Sequence, residues 1–196
     1  MEENKSHKSL RLLFLDMDGV CNRGADNCSP DRHIYDDRFS WVQSFGNKSC
    51  ELTYVDPELA KRLSKLIIDY DLYIVSSSTW RLNYTQEEFK ELLTLRGLPG
   101  ERLIGYTPDM SSSRFRMYCD RKDEIEKFIK NFTESVEYYI ILDDLYEAAY
   151  DTENGKFFQT DFDKGYDEEI DKEVRKYLDE RIKGCKETKE EGSADC

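Results

Sequence analysis

Histidine is nearly missing from these 196 residues: His7 and His33 are the only two. Acid–base chemistry built on a histidine pair is therefore excluded, which leaves carboxylates and metal ions as the candidate reagents. Long hydrophobic runs are also missing. No stretch approaches the ~18 apolar residues of a membrane span. The opening Met1-Glu-Glu-Asn-Lys-Ser-His-Lys8 is too polar for a secretory signal, so the expected location is the cytoplasm, without a membrane partner. Cations are scarce: 29 Lys and Arg face 42 Asp and Glu, for a net charge of −13. The tail after Ile182 does not explain the imbalance, since Lys183, Lys186 and Lys189 nearly offset Glu187, Glu190, Glu191 and Asp195. The excess acid sits on the folded part. That argues against broad electrostatic binding to duplex nucleic acid, but leaves a single strand end or a nucleotide open. The six cysteines, at 21, 28, 50, 119, 185 and 196, include no C-x-x-C pair and no metal-like spacing. Cys28, His33 and Cys50 could in principle hold zinc with a fourth ligand, but their spacing is not that of a zinc site. Reduced structural thiols are the better reading.

What is present centres on residues 11–22, Arg-Leu-Leu-Phe-Leu-Asp-Met-Asp-Gly-Val-Cys-Asn. Four consecutive large apolar residues, 12–15, run straight into Asp16, Asp18 and Gly19. An unbroken apolar run closed by a polar and glycine cluster suits a strand buried on both faces of a parallel sheet. Ligands of such sheets collect outside the carboxyl ends of the strands, where Asp16 and Asp18 would project to the same side. Two carboxylates that close repel unless a cation lies between them, and a hard divalent ion suits oxygen ligands. An EF-hand fits poorly, because its glycine comes at the sixth loop position and helices flank it.

Further along, strands alternate with helices. Asp56-Pro57 opens a helix carrying Leu59, Leu63, Leu66 and Ile67, and residues 72–76 form a second strand. Thr85-Gln-Glu-Glu88 is a capping box for a helix on Phe89, Leu92 and Leu93. Residues 103–106 read as a third strand, 138–142 as a fourth and 156–161 as a fifth. Asp120 caps a helix with an Ile125, Phe128, Ile129 and Phe132 stripe, and residues 167–182 form a last amphipathic helix. Low apolar content predicts disorder from Lys183 to Cys196. The expected architecture is α/β: one doubly wound, Rossmann-like parallel sheet flanked by helices, spanning 9–182. Residues 22–55, a long aperiodic stretch after the first strand, read as a small cap-like lid. Within it, Trp41 either stacks on a base or sugar or anchors the loop to the core.

Four ordered pieces resemble the motifs of the haloacid dehalogenase (HAD) superfamily of phosphotransferases. Asp16-Met-Asp18-Gly-Val is similar to the first. Leu72-Tyr-Ile-Val-Ser76 is similar to the second, Arg121 or Lys122 at the start of a helix to the third, and Tyr138-Tyr-Ile-Ile-Leu-Asp143-Asp144 to the fourth. The resemblance implies that Asp16 attacks phosphorus to form an aspartyl-phosphate, with Asp18 as general acid and then base. It implies Mg2+ held by Asp16, the backbone carbonyl of Asp18, and Asp143 or Asp144. Ser76, or Ser77 one register on, would bind the phosphate, and Arg121 or Lys122 would neutralise its charge.

A finer likeness rests on Ser-Ser-Thr-Trp80-Arg81, Arg121-Lys-Asp-Glu-Ile125 and Gln159-Thr-Asp161 with the Lys-Gly-Tyr that follows. It extends to small viral, phage and bacterial HAD proteins, among them the HAD domains of Swiss Army knife RNA-repair proteins, for which 3′-phosphate removal is proposed. The chain departs from that pattern at Cys21 and Tyr166, where leucine is usual. Arg81 is a candidate substrate contact on this basis. So are Arg114 and Arg116, which lie in a basic and aromatic stretch, 111–122, leading into the third-motif helix. They either grip a neighbouring phosphate while Phe115 or Tyr118 stacks a base, or pair with surface acids over buried aromatics. The implied partner is a phosphorylated small molecule or a single-stranded nucleic-acid end, and no protein partner is evident. The competing readings are a small-metabolite phosphatase and a catalytically silent HAD-type binding module.

Overall fold

The computed structural model describes residues 9–24, 55–110 and 121–191, with side chains as far as Gly184. The lid expected over 22–55 therefore lies outside the described residues except at its two edges. Trp41, Arg114 and Arg116 lie outside them altogether.

Five parallel strands form one sheet in the order β3-β2-β1-β4-β5: β1 Leu10–Leu15, β2 Leu72–Ser76, β3 Leu103–Tyr106, β4 Val136–Asp143 and β5 Gly155–Gln159. Among the described residues, four α-helices accompany them: α1 Pro57–Asp69, α2 Gln86–Leu95, α3 Arg121–Asn131 and α4 Glu168–Glu191. The doubly wound α/β architecture is thus present, with β1 at its centre. Both faces of β1 are buried, as an unbroken apolar run requires. Leu13 and Leu15 join a core with Leu63, Ile67, Phe89, Leu92, Val174 and Leu178 from α1, α2 and α4. Leu12 and Phe14 join the opposite cluster, with Ile125 and the partly buried Phe128 and Ile129 of α3 and Phe132 just beyond its end.

Local chemistry sets the helix starts. Asp56 accepts from the N–H groups of Glu58 and Leu59 at 2.8 and 3.1 Å, satisfying two amides that no helical carbonyl can reach. Thr85 and Glu88 form the expected reciprocal capping box, and Asp167 caps α4 through Glu169 and Ile170.

Three boundaries differ from expectation. β4 gains residues at both ends and takes in Asp143, while β5 starts at Gly155 and stops at Gln159, short of Asp161. α4 runs on to Glu191 instead of ending at Ile182, because lysine and glutamate favour helix even without an apolar stripe. No helix among the described residues is long and apolar enough to cross a membrane.

Candidate active site

The strand order places three chain segments side by side at the carboxyl edge of the sheet. Asp16 follows β1, the serine run follows β2, and Asp143 closes β4. Backbone bonds continue the ladder past the strand ends: Asp16 N–H donates to Leu142 O at 3.0 Å, and Ser77 N–H to Leu15 O at 3.1 Å. These bonds fix the Asp16 backbone from both sides.

Asp16, Asp143 and Asp144 converge, each offering a carboxylate oxygen within 4.8 Å of the others. Asp16 and Asp143 are buried and Asp144 is half-buried. Arg121 bridges the first two, its Nη1 lying 2.8 Å from Asp16 Oδ2 and 2.6 Å from Asp143 Oδ2. Asp143 Oδ1 accepts the Leu145 N–H at 2.9 Å. Asp16 Oδ1, by contrast, is buried with no partner among the described residues, and so are the hydroxyls of Ser76 and Ser77. An orphaned carboxylate oxygen among converging acids is the mark of a cation site, since burying it unpaired costs several kcal/mol. The donor set is all oxygen, which fits a hard divalent ion.

Crowding shows in the acidities. Burial raises Asp16 above the usual carboxyl range, although Arg121 opposes the rise. Burial and then the Asp16 charge push Asp143 up to about 7 and Asp144 to about 6. Burial works against the Arg121 charge, but Asp16 and Asp143 outweigh it and hold the guanidinium cationic. The buried Cys21 thiol is pushed well up by burial and by the neighbouring Asp16 and Asp18, which leaves it inert.

Gly19 lets the loop close over these acids. Its φ is +69°, and a Cβ there would lie 2.7 Å from Asp144 Cγ, so only glycine fits. A strap after β5 then holds the loop. Thr160 donates its hydroxyl to Gly19 O at 2.7 Å and its N–H to Asp143 O at 3.0 Å. Gly24 N–H donates to Phe162 O, and Tyr166 N–H to Val20 O, at 2.8 and 2.9 Å.

The structure places the residues between which the sequence could not choose. Arg121 reaches the acids, while Lys122, next on the helix, is exposed. Of the serines, Ser76 and Ser77 are both buried at the strand end, their hydroxyls without a partner among the described residues. Ser78, not singled out from the sequence, is also buried and close enough to Asp16 to favour its charged form.

Arg81 departs from expectation. It is buried, and its guanidinium donates to Thr107 O, Ser77 O and Ser78 O at 3.0, 2.8 and 2.7 Å and pairs with the equally buried Glu124 of α3. A guanidinium so committed ties the segment after β2 to α3 and does not face the crevice. Sequence reasoning also missed Trp80 and Asn22, which both donate to Asp18. Only the Trp-Arg pair in the finer motif hinted at the first.

A central strand ending in Asp-x-Asp-Gly, beside a strand ending in paired acids and a helix-borne arginine, defines a HAD-superfamily domain. The family model described as "HAD domain in Swiss Army Knife RNA repair proteins" matches residues 12–170, and the chain belongs to that family. Membership points to a phosphatase-type hydrolase acting on phosphorylated substrates, and HAD domains typically use a divalent metal. No curated protein and no solved structure matches the chain.

Proposed function

We propose that the protein is a magnesium-dependent phosphomonoester hydrolase working through an aspartyl-phosphate, with a phosphorylated nucleic-acid end as substrate. The observation that carries the reading is Asp16. Its carboxylate sits at the centre of the sheet edge with one oxygen held by Arg121 and the other buried and, among the described residues, unpartnered. Asp16 attacks phosphorus, and the bond to the leaving oxygen breaks as Asp18 delivers a proton to that oxygen. Asp18 then removes a proton from water, whose oxygen attacks the phosphoryl group, releasing inorganic phosphate and restoring Asp16. The Ser76 and Ser77 hydroxyls, which have no partner among the described residues, supply donors for the phosphate oxygens. Arg121 stabilises the charge that builds between Asp16 and the phosphoryl group.

Mg2+ would be held by Asp16, the Asp18 carbonyl and Asp144, and when bound it supplies charge against the phosphate. Of the acidic pair, Asp144 would be the direct ligand, because it is the more exposed, whereas Asp143 is buried and already accepts from Arg121 on one oxygen and from the Leu145 N–H on the other. Asp143 acts through Arg121 instead. The family's association with RNA repair favours a strand end over a free metabolite. The acidic surface agrees, since it suits a short contact at one end better than a long duplex footprint.

A panel of phosphomonoesters, including 3′- and 5′-phosphorylated oligonucleotides, nucleotides and sugar phosphates, tests this with Mg2+ and with EDTA. Turnover of a 3′-phosphorylated oligonucleotide in Mg2+, absent in EDTA, is the expected result. Preference for a sugar phosphate would replace the substrate, and inactivity on every ester would reject the enzyme.

A further inference from the structure

Asp18 is clamped from both sides. Trp80 donates its indole Nε1–H to Asp18 Oδ2 at 2.8 Å, and Asn22 donates from Nδ2 to Oδ1 at 2.9 Å. Neither partner can reverse its role. An indole nitrogen only donates. The Asn22 amide is fixed in orientation because its Oδ1 accepts the Gly19 N–H at 3.0 Å, so Nδ2 must face Asp18. Both clamps sit on immobile ground: Asn22 is fully buried and Trp80 only 6% exposed. The Trp80 turn is pinned twice more, by the Ser78 hydroxyl accepting Trp80 N–H at 3.3 Å and by the Arg81 bonds to Ser77 O and Ser78 O. Asp18 itself is half-buried. A carboxylate offers about four lone-pair directions, and the clamps take one on each oxygen. One direction on each oxygen therefore remains for a proton, in a plane that the side chain cannot leave without breaking a bond.

We infer that Trp80 and Asn22 are positioning residues for proton transfer, fixing the Asp18 carboxyl plane toward the leaving-group oxygen. The inference rests on the phosphatase reading above. Its consequence is selective. A poor leaving group, such as the alkoxide of a sugar or nucleoside, departs only with a proton, whereas a strongly activated aryl oxide departs without one. Loosening the clamp therefore penalises alkyl phosphates far more than activated aryl phosphates. A placed general acid contributes roughly 10²–10⁴-fold, and loss of one of its two clamps should remove about 10–100-fold of that.

The experiment compares Trp80→Phe, Asn22→Ala and the parent on an alkyl phosphate the parent accepts and on dinitrophenyl phosphate. The ratio of alkyl to aryl kcat/KM should fall about 10-fold or more in each variant. A loss of packing alone would lower both substrates together. Should Trp80→Phe fail to fold, Asn22→Ala carries the same comparison. A second readout needs neither metal nor turnover. In the metal-free protein, the indole N–H resonance that vanishes in Trp80→Phe should move upfield in Asp18→Ala, as its carboxylate acceptor is removed. An active parent whose variants lose alkyl and aryl turnover in equal proportion, or an indole resonance unmoved by Asp18→Ala, overturns the inference alone. A parent inactive on every phosphomonoester overturns the phosphatase reading and takes this inference with it.

Discussion

Replacing Arg121 by Met isolates the charge balance of the acidic cluster. The guanidinium lies 2.8 Å from Asp16 and 2.6 Å from Asp143. At an effective dielectric of about 20, each contact has a gross attraction of about 6 kcal/mol. Desolvating the mostly buried arginine consumes several kcal/mol of that, so the net loss expected for the metal-free protein at pH 8 is about 3–5 kcal/mol. Protons can substitute in part for the missing cation. Asp143 titrates near 7 and Asp144 near 6, both above the ordinary 3.8, so the folded state binds more protons than the unfolded chain between those limits. Stability of the metal-free parent therefore falls as pH rises from about 4 to 7. Removing Arg121 drives the carboxyls higher still and extends that fall to higher pH. At pH 5.5 Asp143 and Asp144 are largely protonated already, and the cost of the substitution should be smaller by at least about 1 kcal/mol. Urea denaturation in EDTA at pH 5.5 and 8 measures both differences. A destabilisation that does not change with pH, or none at all, would refute the view that Arg121 is the counter-charge of this cluster.

Three further outcomes follow from named contacts. Gly19→Ala forces a left-handed residue and drives a methyl into Asp144, so it should cost about 1–3 kcal/mol and weaken magnesium binding measured by calorimetry. Asp144→Asn should reduce magnesium affinity at least about 10-fold, while Asp143→Asn should mainly lower kcat; the reverse pattern would exchange their assigned roles. Glu124→Ala strands the buried Arg81 charge and should lower stability by about 3–5 kcal/mol, read from the shift in urea midpoint.

Much of this was legible in the sequence. The run 12–15 announced a strand buried on both faces, and the order of the acidic strand ends located the crevice, because those signals are local and periodic. What stayed ambiguous depended on rotation within one turn or on distant partners. Arg121 and Lys122 are adjacent, and only the phase of α3 against the sheet turns the first inward and leaves the second exposed. The serine run after β2 carries no pattern that distinguishes its members, since the register past a strand end is set by a bond to Leu15 in another segment. Arg81 resembled a phosphate ligand because a guanidinium reads alike in a crevice or a core. Its partner Glu124 lies 43 residues away. Trp80 lies 62 residues from Asp18, and no local rule connects an indole to an acid at that distance.

The most direct test of the central claim is to trap the covalent intermediate. The protein is mixed with Mg2+ and an accepted phosphomonoester, quenched in acid during turnover, digested, and the peptide containing Asp16 is examined by mass spectrometry. The account predicts one phosphoryl group on Asp16, absent in EDTA, and an Asp16→Asn variant that folds but loses all but a few per cent of kcat. An active enzyme with no phosphoryl group on Asp16, whose Asp16→Asn variant keeps its turnover, would contradict it.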